Sequence, residues 1–283
     1  MKGRYVVICM AALSLATAAV VAAPTNNIML TGYWPPTNEM LRQFSNNPEQ
    51  NEEGWQGENW MGLGYDVYSF FPEFPQGLGK GEGDFEVDYQ DTSNDWWAFT
   101  AAIQPIAIIT FSRGSPGADW EVEWRQRNLA SWINDYQAPF QPTPSPPDNS
   151  VPPGTIRYSS LPMQEIVDAV NDADLGLDAF IDWEDFGGGF LSEFIAYHGT
   201  WYHDLMADPD GPAWNVAAGH IHVAPEVTIE QGIAATEVTL QTLIEYVDTV
   251  VPEPGTMMLA GMAAAVFSRF TRRRRVKRGK LES

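Results

Sequence analysis

Cysteine is nearly absent from this chain of 283 residues: its one example, Cys9, sits in an apolar stretch near the N-terminus. Beyond that stretch there is no disulfide framework and no thiol nucleophile. Positive charge is scarce too, with 16 Lys and Arg against 37 Asp and Glu. Residues 24–250 keep only six of the basic residues (Arg42, Lys80, Arg113, Arg125, Arg127 and Arg157) but 35 of the acidic ones, a net charge of −29. A field of that sign repels phosphate backbones, which excludes nucleic acid as a partner. It admits an anionic substrate only where one of the few arginines receives it. Histidine is confined: all four, His198, His203, His220 and His222, fall in one short stretch. Core-forming residues are plentiful by contrast, with 44% hydrophobic content and 11 Trp. That is material for one large α/β domain or two small ones.

Both ends differ from the body. Residues 1–23 read as a secretory signal, with Lys2 and Arg4 as the charged region, Tyr5 to Val21 as the apolar run and Ala22-Ala23 as the cleavage site. The apolar run is short for a membrane span. At the other end Val251-Pro252-Glu253-Pro254-Gly255-Thr256 precedes the apolar run Met257 to Phe267, and then come Arg269 and Arg272-Arg273-Arg274-Arg275. This tail resembles the PEP-CTERM sorting signal of exported proteins in some Gram-negative bacteria. The resemblance implies transient membrane association through residues 257–267, with the basic cluster kept on the cytoplasmic side. It also implies handling by export and sorting machinery, including an exosortase-type protease that cuts near the Pro-Glu-Pro motif. The alternative is an ordinary C-terminal anchor. The expected organisation is a signal peptide over 1–23, one folded domain over 24–250 and a sorting segment over 251–283. The folded part is then periplasmic, on the cell surface or extracellular.

Within the body, Asn27 to Leu30 reads as a first buried strand, followed by a helix that Thr37 can cap and that buries Met40, Leu41 and Phe44. Tyr65 to Phe71 alternates like a strand and stops at Pro72. Phe85 to Tyr89 has the pattern of an edge strand or hairpin, and Trp96 to Ile103 that of a helix. Ile106 to Phe111 is the most continuous apolar run, as expected of a central parallel strand. Trp120 to Tyr136 has the spacing of a helix or an extended flap. Between Pro139 and Pro153 seven of fifteen residues are proline, giving an extended surface segment. Pro162 opens a helix with Ile166, Val167 and Val170 on one face. A short strand over Leu177 to Ile181 follows, with an exit loop over Asp182 to Gly189. Thr228 and Gln231 fit a capping box for a last helix with a core stripe from Ile229 to Val247. Strands and helices alternating in this order predict a three-layer α/β/α sandwich around a mostly parallel sheet.

The stretch from Gly187 to Val223 carries the chemistry. Ser192 lies about one turn inside a helix entered from Gly187-Gly188-Gly189, and the unpaired N–H groups there favour a developing negative charge. A strand reading His220-Ile221-His222-Val223 brings imidazoles to the same region.

Six segments in order resemble pyroglutamyl peptidase I, the pyrrolidone-carboxylate peptidase family. Leu30-Thr31-Gly32-Tyr33-Trp34-Pro35 is similar to its opening Leu-Thr-Gly-Phe-x-Pro, and Pro105 to Ile109 stands where the family has its central strand. Glu123 to Asn128 keeps the Glu and Asn of Glu-Arg-x-Ala-x-Asn. Tyr158 to Pro162 matches Tyr-x-Ser-x-Leu-Pro. Gly188 to Glu193 aligns with Gly-x-Tyr-Leu-Cys-Asn, and Ile221-His222-Val223 with Ile-His-Val-Pro. The resemblance spans residues 27–250. It implies acyl transfer on a small peptide or amide substrate, with no cofactor. Ser192 takes the place of the family's cysteine nucleophile, His222 that of the base and Glu123 that of the orienting carboxylate. Tyr33, Arg113 and Asn128 fall at substrate-binding positions.

The chain departs from the pattern in two places. A thiol of pKa ~8.5 ionises readily beside an imidazole, whereas the Ser192 hydroxyl has to lose its proton during attack. The family's Gly-Gln-Ala-Gly-Gly-Arg loop is replaced by Phe111-Ser112-Arg113-Gly114-Ser115-Pro116-Gly117. Two other readings stay open. One is a zinc-dependent hydrolase in which His220 and His222, two apart on a strand, join His198 or His203 and a carboxylate. The other is an inactive pseudoenzyme acting as a surface binding protein, its groove lined by tryptophans such as Trp34, Trp55, Trp60, Trp120, Trp124 and Trp201. Trp96 and Trp97 are expected to be ordinary packing.

Overall fold

The computed structural model describes residues 24–211 and 213–251, so the expected signal peptide and the tail beyond Val251 lie outside the described residues. The strands are β1 (Asn27–Tyr33), β2 (Asp66–Phe70), β3 (Pro72–Glu73), β4 (Glu82–Gly83), β5 (Ala107–Arg113), β6 (Trp120–Glu123), β7 (Arg125–Arg127), β8 (Ile156–Tyr158), β9 (Ala179–Asp182) and β10 (Ala217–Val223). The helices are α1 (Tyr89–Ile103), α2 (Met163–Asp172), α3 (Leu191–Met206) and α4 (Ile229–Val250).

Six strands form the main sheet in the order β2-β1-β5-β10-β6-β9. The first four run parallel, while β6 lies antiparallel to β10 and carries β9 parallel to itself. Side chains alternate across the pleat and divide the core in two. Leu30, Ile109, Phe111, Val122 and Ile221 pack with Ile166 and Val170 of α2 and Leu240, Leu243 and Val247 of α4. Met29, Ile108 and Ala218 face the other way, onto Trp96 of α1 and Leu191, Phe194 and Ile195 of α3. Both faces of β5 are thus covered, which is why its sequence is apolar without alternation. The three-layer sandwich follows directly.

Two helix starts agree with their side-chain chemistry. Asp88 accepts hydrogen bonds from the Gln90 and Asp91 amides at the head of α1, and Thr228 with Gln231 forms the reciprocal box at the head of α4.

Several local expectations are corrected. Thr37 caps nothing: its hydroxyl donates to the carbonyls of Tyr33 and Trp34, ahead of a short 3-10 helix over Glu39–Phe44 that still buries Met40, Leu41 and Phe44. The stretch Phe85 to Tyr89 is no strand, because α1 begins at Tyr89 and absorbs the polar run before Trp96. Trp120 to Tyr136 is not helical. Trp120 and Val122 are core residues, and Glu121 and Glu123, one position out of phase, face the opposite side. Ile229 is 43% exposed and lies outside the α4 stripe. Trp96 is buried as expected, but Trp97 stands at the surface edge-on to Trp201. The proline-rich segment has no regular structure and is docked rather than free. Asn128 clasps Asp148 through both its amide groups, and Arg157 and the Tyr197 hydroxyl meet the Asp148 carboxylate.

Candidate active site

Strand register builds the site. Thr110 and Ser112 of β5 pair with His220 and His222 of β10. These in turn pair with Glu123 and Glu121 of β6, and Glu123 pairs with Asp182 of β9. Directly paired residues share a face, so a polar strip crosses four strands on the side that carries α3. It lies towards the carboxyl ends of β5 and β10, where open α/β sheets hold their ligands.

Register sets Glu121 opposite His222, yet the hydrogen bond runs diagonally. His222 Nδ1 is 2.7 Å from Glu123 Oε1 and 3.8 Å from Glu121 Oε2. Glu123 is only 2% exposed, and its second carboxylate oxygen has no hydrogen-bond partner among the described residues. His222 forms part of the wall of a pocket of about 480 Å³, together with Arg113, Glu121, Glu123, Arg127, Asp182, Asp185 and Ser192. Gly114 lets the β5 exit loop close on this wall, since a Cβ there would come within 2.9 Å of His222 Cβ.

The opposite wall is the entry to α3. Gly188 and Gly189 have φ of +87° and +74°, conformations that a side chain would strain. Gly187 runs so close to α3 that a Cβ would be 3.0 Å from the Glu193 backbone. Ser192 is therefore the second residue of α3, nearer the helix end than its spacing suggested. Phe190 supplies no side-chain cap, which leaves first-turn N–H groups available beside the Ser192 hydroxyl. Glu193, fully buried, holds this loop down. It accepts from the Gly189 amide and takes Arg127 in a two-pronged ion pair at 2.7 and 2.9 Å. The guanidinium groups of Arg125 and Arg127 both lie over the Phe186 ring, 4.3 and 4.1 Å from its centre.

The pocket is acidic. Glu121, Glu123, Asp182 and Asp185 face Arg113 and Arg127, and Arg127 is already engaged by Glu193. Burial pushes the Glu121 carboxyl above its ordinary range; His222 opposes this, while Glu123, Asp182 and Asp185 add to it.

Solved structures share this fold. A pyrrolidone carboxyl peptidase from Thermococcus litoralis, 17% identical, superposes with a TM-score of 0.56 over 80% of this chain and 97% of its own. One from the hyperthermophile Pyrococcus furiosus, 14% identical, does so with a TM-score of 0.56 over 78% and 99%. The fold is that of a pyrrolidone carboxyl peptidase. A family model described as the PEP-CTERM protein-sorting motif matches residues 250–275, which marks an exported protein with a C-terminal anchoring tail, recognised by exosortase-type sorting machinery. No curated protein matches the sequence. Among the described residues no helix is long and apolar enough to cross a membrane.

On the pyrrolidone-carboxyl-peptidase fold, Ser192, His222, Glu123 and Arg113 line one pocket. Two residues expected at the substrate do not. Tyr33 is 1% exposed in the core under α1, with its hydroxyl on Thr92, and Asn128 is spent on Asp148. The four histidines do not converge either. His220 has both nitrogens occupied, Nδ1 by Thr110 at 2.7 Å and Nε2 by Ser112 at 2.9 Å. His203 pairs with Asn215, and His198 with the Phe194 carbonyl among the rings of Trp96, Trp97 and Trp201. Glu121, Asp182, Asp185 and Glu193 were not anticipated. The signal for Glu121 was present in Trp120-Glu121-Val122-Glu123, whose alternation places both glutamates on one face.

His198 makes a testable contribution to stability. Burial lowers its pKa from 6.5 to about 4, against the opposing hydrogen bond to Phe194. The unfolded chain then takes up the proton first, so the contribution is complete above pH 6.5 and is lost as the pH falls towards 4. It amounts to about 3 kcal/mol at most. Melting temperatures across this range should fall more steeply for the native protein than for His198→Gln. Equal slopes would mean that the native imidazole is not held neutral.

Proposed function

We propose that this chain is an exported hydrolase of peptide or amide bonds that works by acyl transfer. Ser192 attacks, His222 moves the proton and Glu123 orients the ring. The observation that carries this reading is the 2.7 Å bond from His222 to buried Glu123 in the pocket that Ser192 also lines. With Nδ1–H donated to Glu123, the lone pair at Nε2 is directed away from the carboxylate and can take the Ser192 proton. The oxyanion of the tetrahedral intermediate forms beside the first-turn amides of α3. The proton then passes to the leaving amine, and water releases the acyl group by the reverse sequence. The solved relatives' name makes a pyroglutamyl amide the first substrate to try, and the acidic lining argues for including polar and cationic acyl groups.

One observation favours an inactive scaffold: no direct hydrogen bond joins Ser192 to His222 among the described residues. Catalytic contacts of this kind often close only when substrate binds. The test is hydrolysis of a panel of reporter amides, pyroglutamyl amide among them, by the purified protein in chelator. Turnover is expected, and Ser192→Ala should remove it by at least ~10⁴-fold. Turnover that survives this change would reject Ser192 as nucleophile. Turnover seen only in Ser192→Cys would identify a retired cysteine peptidase.

A further inference from the structure

The acidic strip beside His222 is richer than a proton relay requires. We propose that Glu121, Glu123 and His222 bind a divalent cation of the zinc class, and that this cation and the proton-transfer role of His222 exclude one another. The exclusion rests on the function proposed above; the binding does not.

Three observations support the site. One carboxylate oxygen from each glutamate and one ring nitrogen of His222 lie within 4.8 Å of one another. Small side-chain rotations bring three such atoms to the ~2.0–2.2 Å bonds of a single zinc ion. Register makes this grouping a property of the sheet, because Glu121 and Glu123 are two apart on β6 and directly face β10.

The second observation is the unpartnered oxygen of Glu123, on a side chain that is 2% exposed. A buried carboxylate oxygen with no donor bears the full penalty of its lost hydration, and no N–H or O–H of the chain reaches it among the described residues. A cation shared with Glu121 satisfies it. The third is charge. Asp182 is paired in register with Glu123 and Asp185 lines the same pocket, while Arg127 is held by Glu193. Arg113 alone does not balance four carboxylates.

The donor set selects the ion. Two carboxylates and an imidazole, with an open side towards the pocket, suit Zn²⁺ or Co²⁺ better than Ca²⁺ or Mg²⁺, which call for all-oxygen shells. A metal on Nδ1 displaces the proton given to Glu123 and leaves the ring's proton on Nε2. The imidazole then has no lone pair to accept the Ser192 proton. His220 cannot replace it, since Thr110 and Ser112 occupy both its nitrogens.

The experiment is titration of Zn²⁺ into the metal-free purified protein by calorimetry, with Co²⁺ absorption as a second readout. One ion per chain is expected, with the visible bands of a low-coordinate Co²⁺ centre. Glu121→Gln and His222→Gln, confirmed as folded by circular dichroism, should each weaken binding at least ~10-fold. No binding, or binding undiminished in both variants, would overturn the site. Where a reporter amide is turned over, Zn²⁺ should abolish turnover and a chelator restore it. Occupancy that leaves turnover intact would overturn the exclusion. A protein that hydrolyses nothing yet binds the ion through these residues would reject the proposed hydrolase while supporting the metal site.

Discussion

Replacing Glu123 by glutamine is expected to lower kcat by on the order of 10⁴ with little change in KM. The side chains are nearly isosteric and the position is buried, so packing survives. What changes is the tautomer. The carboxylate can only accept, which keeps the proton on Nδ1 and the lone pair on Nε2. An amide can turn its NH₂ group to Nδ1 and strand the proton on Nε2, where it blocks attack by Ser192. Steady-state kinetics on whichever amide the native protein is found to hydrolyse would show the split between kcat and KM, and the nitrogen chemical shifts of His222 would report the tautomer. Glu121 stands 3.8 Å from the same nitrogen and is placed to compensate. A loss below about tenfold would therefore make Glu121 the orienting carboxylate.

Removing Arg127 should have the largest effect on stability. Glu193 has no exposure of its own, and Arg127 supplies it with a backbone amide and two guanidinium donors. Arg127→Ala removes both guanidinium donors and leaves a buried carboxylate with only the backbone amides of residues 127 and 189, at a cost of about 3–5 kcal/mol. For a domain of this size that is a drop in Tm of about 10 °C. Adding Glu193→Gln to Arg127→Ala removes the unpaired charge and should recover part of the loss. A double variant no more stable than Arg127→Ala would show that hydrogen bonding to the loop, and not the charge, carries the energy. Calorimetry of the two variants against the native protein reads the difference directly.

Legibility followed sequence length and repetition. The apolar run of β5 and the capped stripe of α4 each carry many residues that agree with one period, and both elements stand where expected, Ile229 at the head of α4 excepted. The four-residue β6 carries too few, and the charged and aromatic residues after it resemble a helical face as readily as a strand edge. Within the site, Ser192 and His222 were marked by the glycine run and the strand pattern. Glu123 came through family register alone, since a glutamate in an acidic chain carries no mark of burial. Tyr33 and Asn128 show the limit of that register: matching positions were kept while the side chains turned to Thr92 and Asp148. The Glu121–Glu123–His222 grouping depends on β6 lying beside β10, a long-range pairing that local sequence does not encode.

The placement of the three expected catalytic groups has a chemical consequence. His222 and Glu123 sit on adjoining strands, and β10 is bonded on both sides, so their separation is fixed by the lattice of the sheet. Ser192 is carried instead by a helix whose approach runs through three glycines. A hydroxyl reaches less far than a thiol, and the difference falls entirely on that glycine hinge. On the proposed mechanism, an exchange of sulfur for oxygen as the attacking atom calls for resetting one turn of chain, with His222 and Glu123 left where they stand.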